Sequence, residues 1–532
     1  MFNNNLYVNG DQDVQVPAHL NFGKYILDRL RSRSEEIAVE NAITGEAMNY
    51  KDFTEYAVKL SSSLMDLGVK RGDTVGVGSE KRVTFVPTAL AVVFTGAAYT
   101  PYDLKSGRAG LLHKLNLTRP KYFICSPLFW EVYGDILRNL DYIDTFICFD
   151  DSKDISLSIK NLILRPNDVT NFEPATVQGQ IDTALILYSS GTTGMPKGVQ
   201  LTHLNCILNS LPKDFEDESL KTAFMFGEWY HNYDTFMTYK FLSAGRKIVY
   251  VDTVTPENLM KSIHNCQVNI AMLVPSLVGY LSKAEEVEKY DLSTLKIIYC
   301  RSSPLHRKTI EAVKRRFLTL KNILQGYGMT EAGELTSESW GVKGPKIGSV
   351  GMASPGIILK VVHPETREVL GPNQRGEICL RGPVFMKGYI SIEPSTYLDD
   401  QGFFITGDLG YYDEDKYFYI VDRLKEILSY DGYKVAPLEL ETILQLHPGV
   451  REAGVVGQPA GDIGELPTAF VVCQRGATVS PQELIDYVSK EVPPYMELRG
   501  GVRFVSELPR NPRGKILRRQ LREMLNETDH II

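Results

Sequence analysis

Few cysteines, no basic excess and no long apolar run set the first limits on this chain. The seven cysteines stand at positions 125, 148, 206, 266, 300, 379 and 473, odd in number, scattered and without a C-x-x-C pair. That spacing supports neither a disulfide framework nor a zinc site, and it predicts reduced thiols in a cytosol-like compartment. Against 58 Lys and Arg stand 65 Asp and Glu, a formal charge of −7. A dedicated nucleic-acid binder carries a basic excess, so that partner class is not expected. An acidic protein can still hold a phosphate in one local site. The most apolar stretch, residues 83–99, is interrupted by Thr, Pro and Gly, which predicts a buried helix and no membrane span. Neither a basic n-region nor an apolar h-region opens the chain, so no signal peptide is expected. The last residues, Asp529, His530, Ile531 and Ile532, are not a peroxisomal tripeptide. A cytoplasmic location is the expectation. Internal repeats and low-complexity tracts are absent from the sequence.

What is present is enough chain and enough apolar side chain for a large core. With 532 residues, 43% of them hydrophobic, the length predicts several structural units. Residues 22–31 and 52–67 read as amphipathic helices. Short β-branched runs at 74–77, 247–251 and 295–299 lie between such helices, and 184–188 reads as a buried strand. This alternation predicts parallel sheets covered by helices. After about residue 345 the texture changes. Short strands at 346–350, 357–362, 376–381 and 417–421, separated by Gly, Pro and Asp, predict a small, mostly antiparallel β unit. From 423 the pattern is mixed, with helices at 438–446 and 481–491 and strands at 470–473 and 502–505.

Residues 188–198 read YSSGTTGMPKG and follow an expected strand. Gly191 and Gly194 let backbone N–H groups approach an anion. Ser189, Ser190, Thr192 and Thr193 add hydroxyl donors, and Lys197 adds a cation. This is phosphate-binding chemistry. It is not the P-loop, since no Lys-Ser/Thr pair follows the second Gly.

The string resembles the nucleotide-binding signature of the adenylate-forming superfamily of acyl- and aryl-CoA ligases, peptide-synthetase adenylation domains and beetle luciferases. Later stretches match further motifs in order: QGYGMTEAG at 325–333, ITGD at 405–408, VDRLK at 421–425 and PRGK at 512–515. The resemblance spans nearly the whole chain. Within the superfamily the chain is similar to insect luciferases and 4-coumarate–CoA ligases, and NQRGE at 373–377 and LRGGV at 498–502 lean toward the luciferases. The fold implied is α/β: an N-terminal AMP-binding body over residues 1–421, made of two α/β sheets and a β-barrel-like unit at about 345–421. A smaller mobile α+β lid follows over 422–532, hinged at Asp422 with Lys425 beside it.

The implied reaction joins a carboxylic acid to AMP from ATP with Mg²⁺. By resemblance, Ser189 to Lys197 hold the β- and γ-phosphates, Thr330 contacts the α-phosphate and Glu331 holds the metal. Gln325, Gly326 and Tyr327 line the adenine and acyl side. Asp408 takes the ribose hydroxyls, as a carboxylate can, with Arg423 as its partner. Lys515 matches the lysine that inserts between substrate carboxylate and phosphate. His231, within WYHNYDTF, matches a position lining the acyl pocket, where a group titrating near neutrality steers a carboxylate or a proton. Arg301, Ser302, Ser303 and Gly328 belong to the same implied pocket.

Some positions depart from the family pattern. Residues 300–304 read CRSSP where small residues normally let backbone approach the ligand. Arg301 either pairs with an anionic group on the substrate or points away and is structural. An inward-facing Arg301 is a poor fit to a long plain fatty acid. Ser429 and Asp431 stand where beetle luciferases and 4-coumarate–CoA ligases typically carry lysines. That weakens both a beetle-like oxidation and an efficient thioesterification, with Lys434 as a substitute for the lost charge. Glu334 stands where beetle enzymes carry a small residue near luciferin, which argues against a beetle-luciferin pocket.

Two second half-reactions are open. One is O₂-dependent oxidation of a luciferyl adenylate with light emission, as in a non-beetle insect luciferase such as that of a luminous fungus gnat. The other is thioester formation with coenzyme A by an acyl- or aryl-CoA ligase. Retention of Lys197, Thr330, Glu331, Asp408, Arg423 and Lys515 argues against a third reading, a non-catalytic nucleotide-binding paralogue.

Overall fold

A computed structural model describes residues 6–11, 14–166, 168–189, 195–212, 217–301, 305, 307–338, 344–431, 433–510 and 515–528. Three large sheets and two small ones organise them. The first has eight strands. Its parallel centre runs through Thr183–Ser189, Ala98–Tyr102, Thr74–Gly78, Tyr122–Cys125, Thr145–Cys148 and Leu157–Ser158. Lys197–Thr202 and Gly388–Tyr389 extend it antiparallel. The central strands are buried along nearly their whole length, as expected of parallel strands covered on both faces. The second sheet has nine strands. Its parallel centre is Ile37–Asn41, Lys247–Tyr250, Thr222–Phe224, Ile270–Leu273, Ile297–Cys300 and Asn322–Met329. Gly333–Ser337 follows Asn322–Met329 as an antiparallel neighbour.

Helices Phe22–Arg31 and Tyr50–Asp66 realise the expected amphipathic segments almost to the residue. Asn21 and Asn49 accept first-turn N–H groups, the capping that starts a helix. The apolar stretch at 83–99 holds the expected buried helix and, after it, the start of a strand. Helix Phe85–Phe94 has every residue buried and stops there. Gly96, at φ +79°, turns the chain into the strand Ala98–Tyr102. Thr95 and Gly96 provide the break that hydropathy alone does not register.

The third sheet is the expected antiparallel unit. Its order is Val8–Asn9, Ile358–Val362, Gly376–Arg381, Phe404–Tyr412 and Phe418–Arg423, and its two outer strands are not paired with each other. Residues 346–350 are not a strand, contrary to expectation. Glycines at 348 and 351 both take φ +85°, and Ile347 faces solvent, so the segment is a loop. Nor is the unit closed in sequence. Val8–Asn9 joins it from the N-terminal region, while Gly388–Tyr389 leaves it to edge the eight-stranded sheet.

Beyond residue 427 lie the hairpin Leu428–Tyr430 and Tyr433–Val435, a sheet of Val450–Pro459, Glu465–Cys473 and Val502–Phe504, and helices Pro437–Leu444, Pro481–Ser489 and Arg518–Thr528. Their apolar side chains pack with one another in clusters that contain no buried residue from before Leu428. Among the described residues, no helix is long and apolar enough to cross a membrane.

Candidate active site

The phosphate-binding string bridges two antiparallel strands. Ser189 ends one and Lys197 begins the next, directly opposite it. Ser190, Gly191, Thr192, Thr193 and Gly194 lie outside the described residues. Beside Lys197 runs the short strand Gly388–Tyr389, with Tyr389 opposite Val199. The Lys197 ammonium lies over the Tyr389 ring, 4.8 Å from its centroid. The Tyr389 hydroxyl donates to Glu331 Oε1 at 2.7 Å. One aromatic residue thus links the cation of the phosphate loop to the carboxylate expected to hold the metal.

Glu331 and Thr330 follow the strand Asn322–Met329. Glu331 is buried. The Thr330 carbonyl accepts from Asn232 Nδ2 at 2.9 Å, which ties it to the first turn of helix Asn232–Ser243. His231 is the N-cap residue of that helix, and its Nε2 lies 3.6 Å from Glu228 Oε2. His231 and Thr330, nearly a hundred residues apart, therefore flank one helix end.

Asp408 and Arg423 sit opposite each other on paired strands. Arg423 Nε is 2.8 Å from Asp408 Oδ1, and the Tyr327 hydroxyl donates to Oδ2. Burial raises the Asp408 carboxyl above its ordinary range, while Arg423, Tyr327 and Lys515 pull it back. That Lys515 acts on Asp408 at all means the second domain carries its lysine to this side of the first. Asp422 bridges the two parts of the chain. Its carboxylate accepts from the N–H of Arg423 at 2.7 Å and from the N–H of Leu438 at 2.9 Å, in the first turn of helix Pro437–Leu444. Lys425 is 3.8 Å from Glu426, and burial lowers its amine.

The remaining expected residues divide. The Gln325 side chain is spent on the fold: Oε1 accepts from Leu305 N at 2.6 Å and Nε2 donates to Ser349 O at 3.3 Å. It braces the strand. Gly328 is exposed on the same strand, where a Cβ would meet Gly333 O at 2.4 Å. Arg301 faces inward and is already paired, its Nη2 2.9 Å from Glu334 Oε2. Ser302 and Ser303 lie outside the described residues.

A family model for the AMP-binding enzyme matches residues 28–390, and one for the AMP-binding enzyme C-terminal domain matches 439–515. The chain belongs to the AMP-binding enzyme family. Luciferin 4-monooxygenase of Photuris pensylvanica is 35% identical over 518 residues, covering 94% of each chain. 4-Coumarate–CoA ligase 3 of Arabidopsis thaliana is 33% identical, covering 96% of this chain and 93% of that one. Among solved structures, ATP-bound MatB from Rhodopseudomonas palustris has a TM-score of 0.84 at 27% identity, covering 96% and 99% of the two chains. This AMP-binding enzyme is therefore an adenylate-forming enzyme of mixed α/β fold, with a large N-terminal body and a C-terminal domain.

Glu331 suits Mg²⁺. No cluster of three or more His, Cys, Asp or Glu able to hold a metal occurs among the described residues. A single buried carboxylate fits an ion that takes its other ligands from water and phosphate oxygens. The sequence reading missed Tyr389, Asn232 and Glu228. Glu228 and Asn232 flank His231 within three residues and were open to suspicion. Tyr389 carried no local signal, because only its pairing with Val199 brings it to the phosphate loop.

Proposed function

We propose that this enzyme adenylates a carboxylic acid with Mg²⁺–ATP and then oxidises the acyl adenylate with O₂, emitting light. In the first half, the acid carboxylate attacks the α-phosphorus and pyrophosphate leaves. Negative charge gathers on the phosphoryl oxygens, so positioning and electrostatics supply most of the catalysis. The observation that carries this is the convergence on Asp408. A ribose-binding carboxylate, held by Arg423 and Tyr327, lies within the field of Lys515. Lys515 then offsets the repulsion between two anions as they meet. Thr330 addresses the α-phosphate, Lys197 and its loop hold the outer phosphates, Glu331 keeps the metal, and His231 steers the acid. For the second half-reaction, the domain boundary at 422 acts as a hinge, and Asp422 is its pivot.

The identity to luciferin 4-monooxygenases over nearly the whole length supports oxidation, and the hairpin with Ser429 and Asp431 in place of lysines disfavours thioester formation. Asp431 is exposed at φ +47°, fixed by its N–H to Ile463 O at 2.8 Å. There it offers an anionic rim to a coenzyme A phosphate. One observation favours the ligase reading: Lys434, exposed, stands opposite Ser429 across the hairpin. The purified enzyme with ATP, Mg²⁺ and extract of its source tissue distinguishes the two. Light that requires both ATP and O₂ is expected. Coenzyme A consumption with a thioester product and no light would overturn oxidation and establish a ligase.

A further inference from the structure

Arg301 and Glu334, two charged positions noted in the sequence as departures from the family pattern, meet in the structure. Arg301 follows the strand Ile297–Cys300. Its side chain crosses the neighbouring strand at Gly326, where an added Cβ would lie 2.8 Å from both Cζ and Nη2. It ends 2.9 Å from Glu334 Oε2, on the strand beyond. Helix Asn232–Ser243 closes the cluster. The Tyr233 ring lies 4.8 Å from the guanidinium carbon, and Lys240 Nζ is 3.7 Å from Glu334 Oε2. The same helix begins at His231 and holds Thr330 through Asn232, so the cluster adjoins the reacting end of the site.

Its charges do not balance. Burial raises the Glu334 carboxyl, but Arg301 and Lys240 overcome that and hold it at about 2. The acid is ionised between two cations, and among the described residues the cluster counts one positive charge more than negative, in a site where Arg301 is only 8% exposed. Nη2 of Arg301 is taken up by the contact with Glu334, while Nε has no hydrogen-bond acceptor among the described residues. A buried charged donor without an acceptor is costly, and so is a buried net charge. Both deficits are met by one additional anionic oxygen group beside the guanidinium.

We propose that Lys240, Glu334 and Arg301 form a specificity site that selects a carboxylic acid bearing a second carboxylate, distal to the one that is adenylated, and rejects plain hydrocarbon acids. A planar carboxylate suits the fork of a guanidinium, and its charge brings the cluster to neutrality. The proposal rests on the adenylation reading of the site and deepens it.

Two stable mimics of an acyl adenylate test it, benzoyl- and 4-carboxybenzoyl-sulfamoyl adenosine, each titrated calorimetrically against the full-length protein. The carboxylated mimic is expected to bind about tenfold tighter or more, as a charge-assisted hydrogen bond allows. In Arg301→Gln that preference is expected to vanish. Lys240→Gln leaves Arg301 packed on Gly326 and covers the case in which the arginine variant does not fold; there the preference is expected to shrink. Equal binding of the two mimics by the native protein, or a preference that persists undiminished in both variants, overturns the specificity site and leaves adenylation standing. Binding of neither mimic, with no ATP–pyrophosphate exchange for any acid, overturns adenylation and this inference with it.

Discussion

Two buried carboxylates, Asp408 and Glu331, stand in a site that has to receive a highly anionic nucleotide, and each is bound by a tyrosine hydroxyl. Tyr327 donates to Asp408 and Tyr389 to Glu331. A neutral donor suits this place, since it satisfies the carboxylate without consuming its charge, which remains for ribose hydroxyls or a metal. Asp408 has Arg423 as well. Tyr389→Phe therefore removes a hydrogen bond from a buried, charged acceptor, a loss of about 1.5–3 kcal/mol. The expected result is a fall of roughly 10- to 100-fold in kcat/KM for Mg²⁺–ATP, with the KM for Mg²⁺ rising and the fold intact by circular dichroism. Unchanged metal dependence would show that Glu331 needs no support from Tyr389. Asp408, Arg423, Glu331 and Lys197 were legible as residues because each lies inside an ordered motif. Tyr389 was not, and Arg301 was legible only as an anomaly. Its partner Glu334 was noted separately, and nothing in the sequence joins positions 301 and 334 until three strands align.

Elements followed the local pattern where capping and periodicity agree. Helix Phe22–Arg31 has an apolar face and an asparagine cap, and strand Thr183–Ser189 is built on the continuous apolar run 184–188. Patterns failed where backbone conformation outweighs hydropathy. Glycines at 348 and 351 take φ values few other residues adopt, which keeps 346–350 out of a sheet despite Ile347 and Val350. Strand Asn322–Met329 depends on a glycine for a different reason. Gly326 is the gap through which the Arg301 side chain crosses, and a Cβ there would also meet Thr336 O at 2.9 Å. Gly326→Ala is expected to lower stability by about 1–3 kcal/mol, as overpacking of a filled site does, read as a lower denaturant midpoint with an unchanged m-value. Wild-type stability in this variant would mean that Arg301 relocates freely.

At the scale of the whole molecule, a body built on three sheets and a separately packed second domain share one site, and Asp422 joins them by accepting N–H groups from both sides. Lys515 comes from the far end of the chain to act on Asp408. Lys515→Ala is expected to abolish adenylate formation while leaving the use of a preformed adenylate largely intact. ATP–pyrophosphate exchange that survives the substitution would remove Lys515 from the first half-reaction. The sequence by itself pointed to the family chemistry: motifs in fixed order, through their resemblance to the adenylate-forming superfamily, imply a phosphate loop, a ribose acid and an adenylating lysine. Tertiary structure alone decided which groups face one another. Glu331 with Tyr389, His231 with Thr330, and Arg301 with Glu334 are brought together by strand register and helix packing between segments that share no local pattern. Such contacts are assembled from side chains that the chain order keeps apart, so local pattern cannot reveal them.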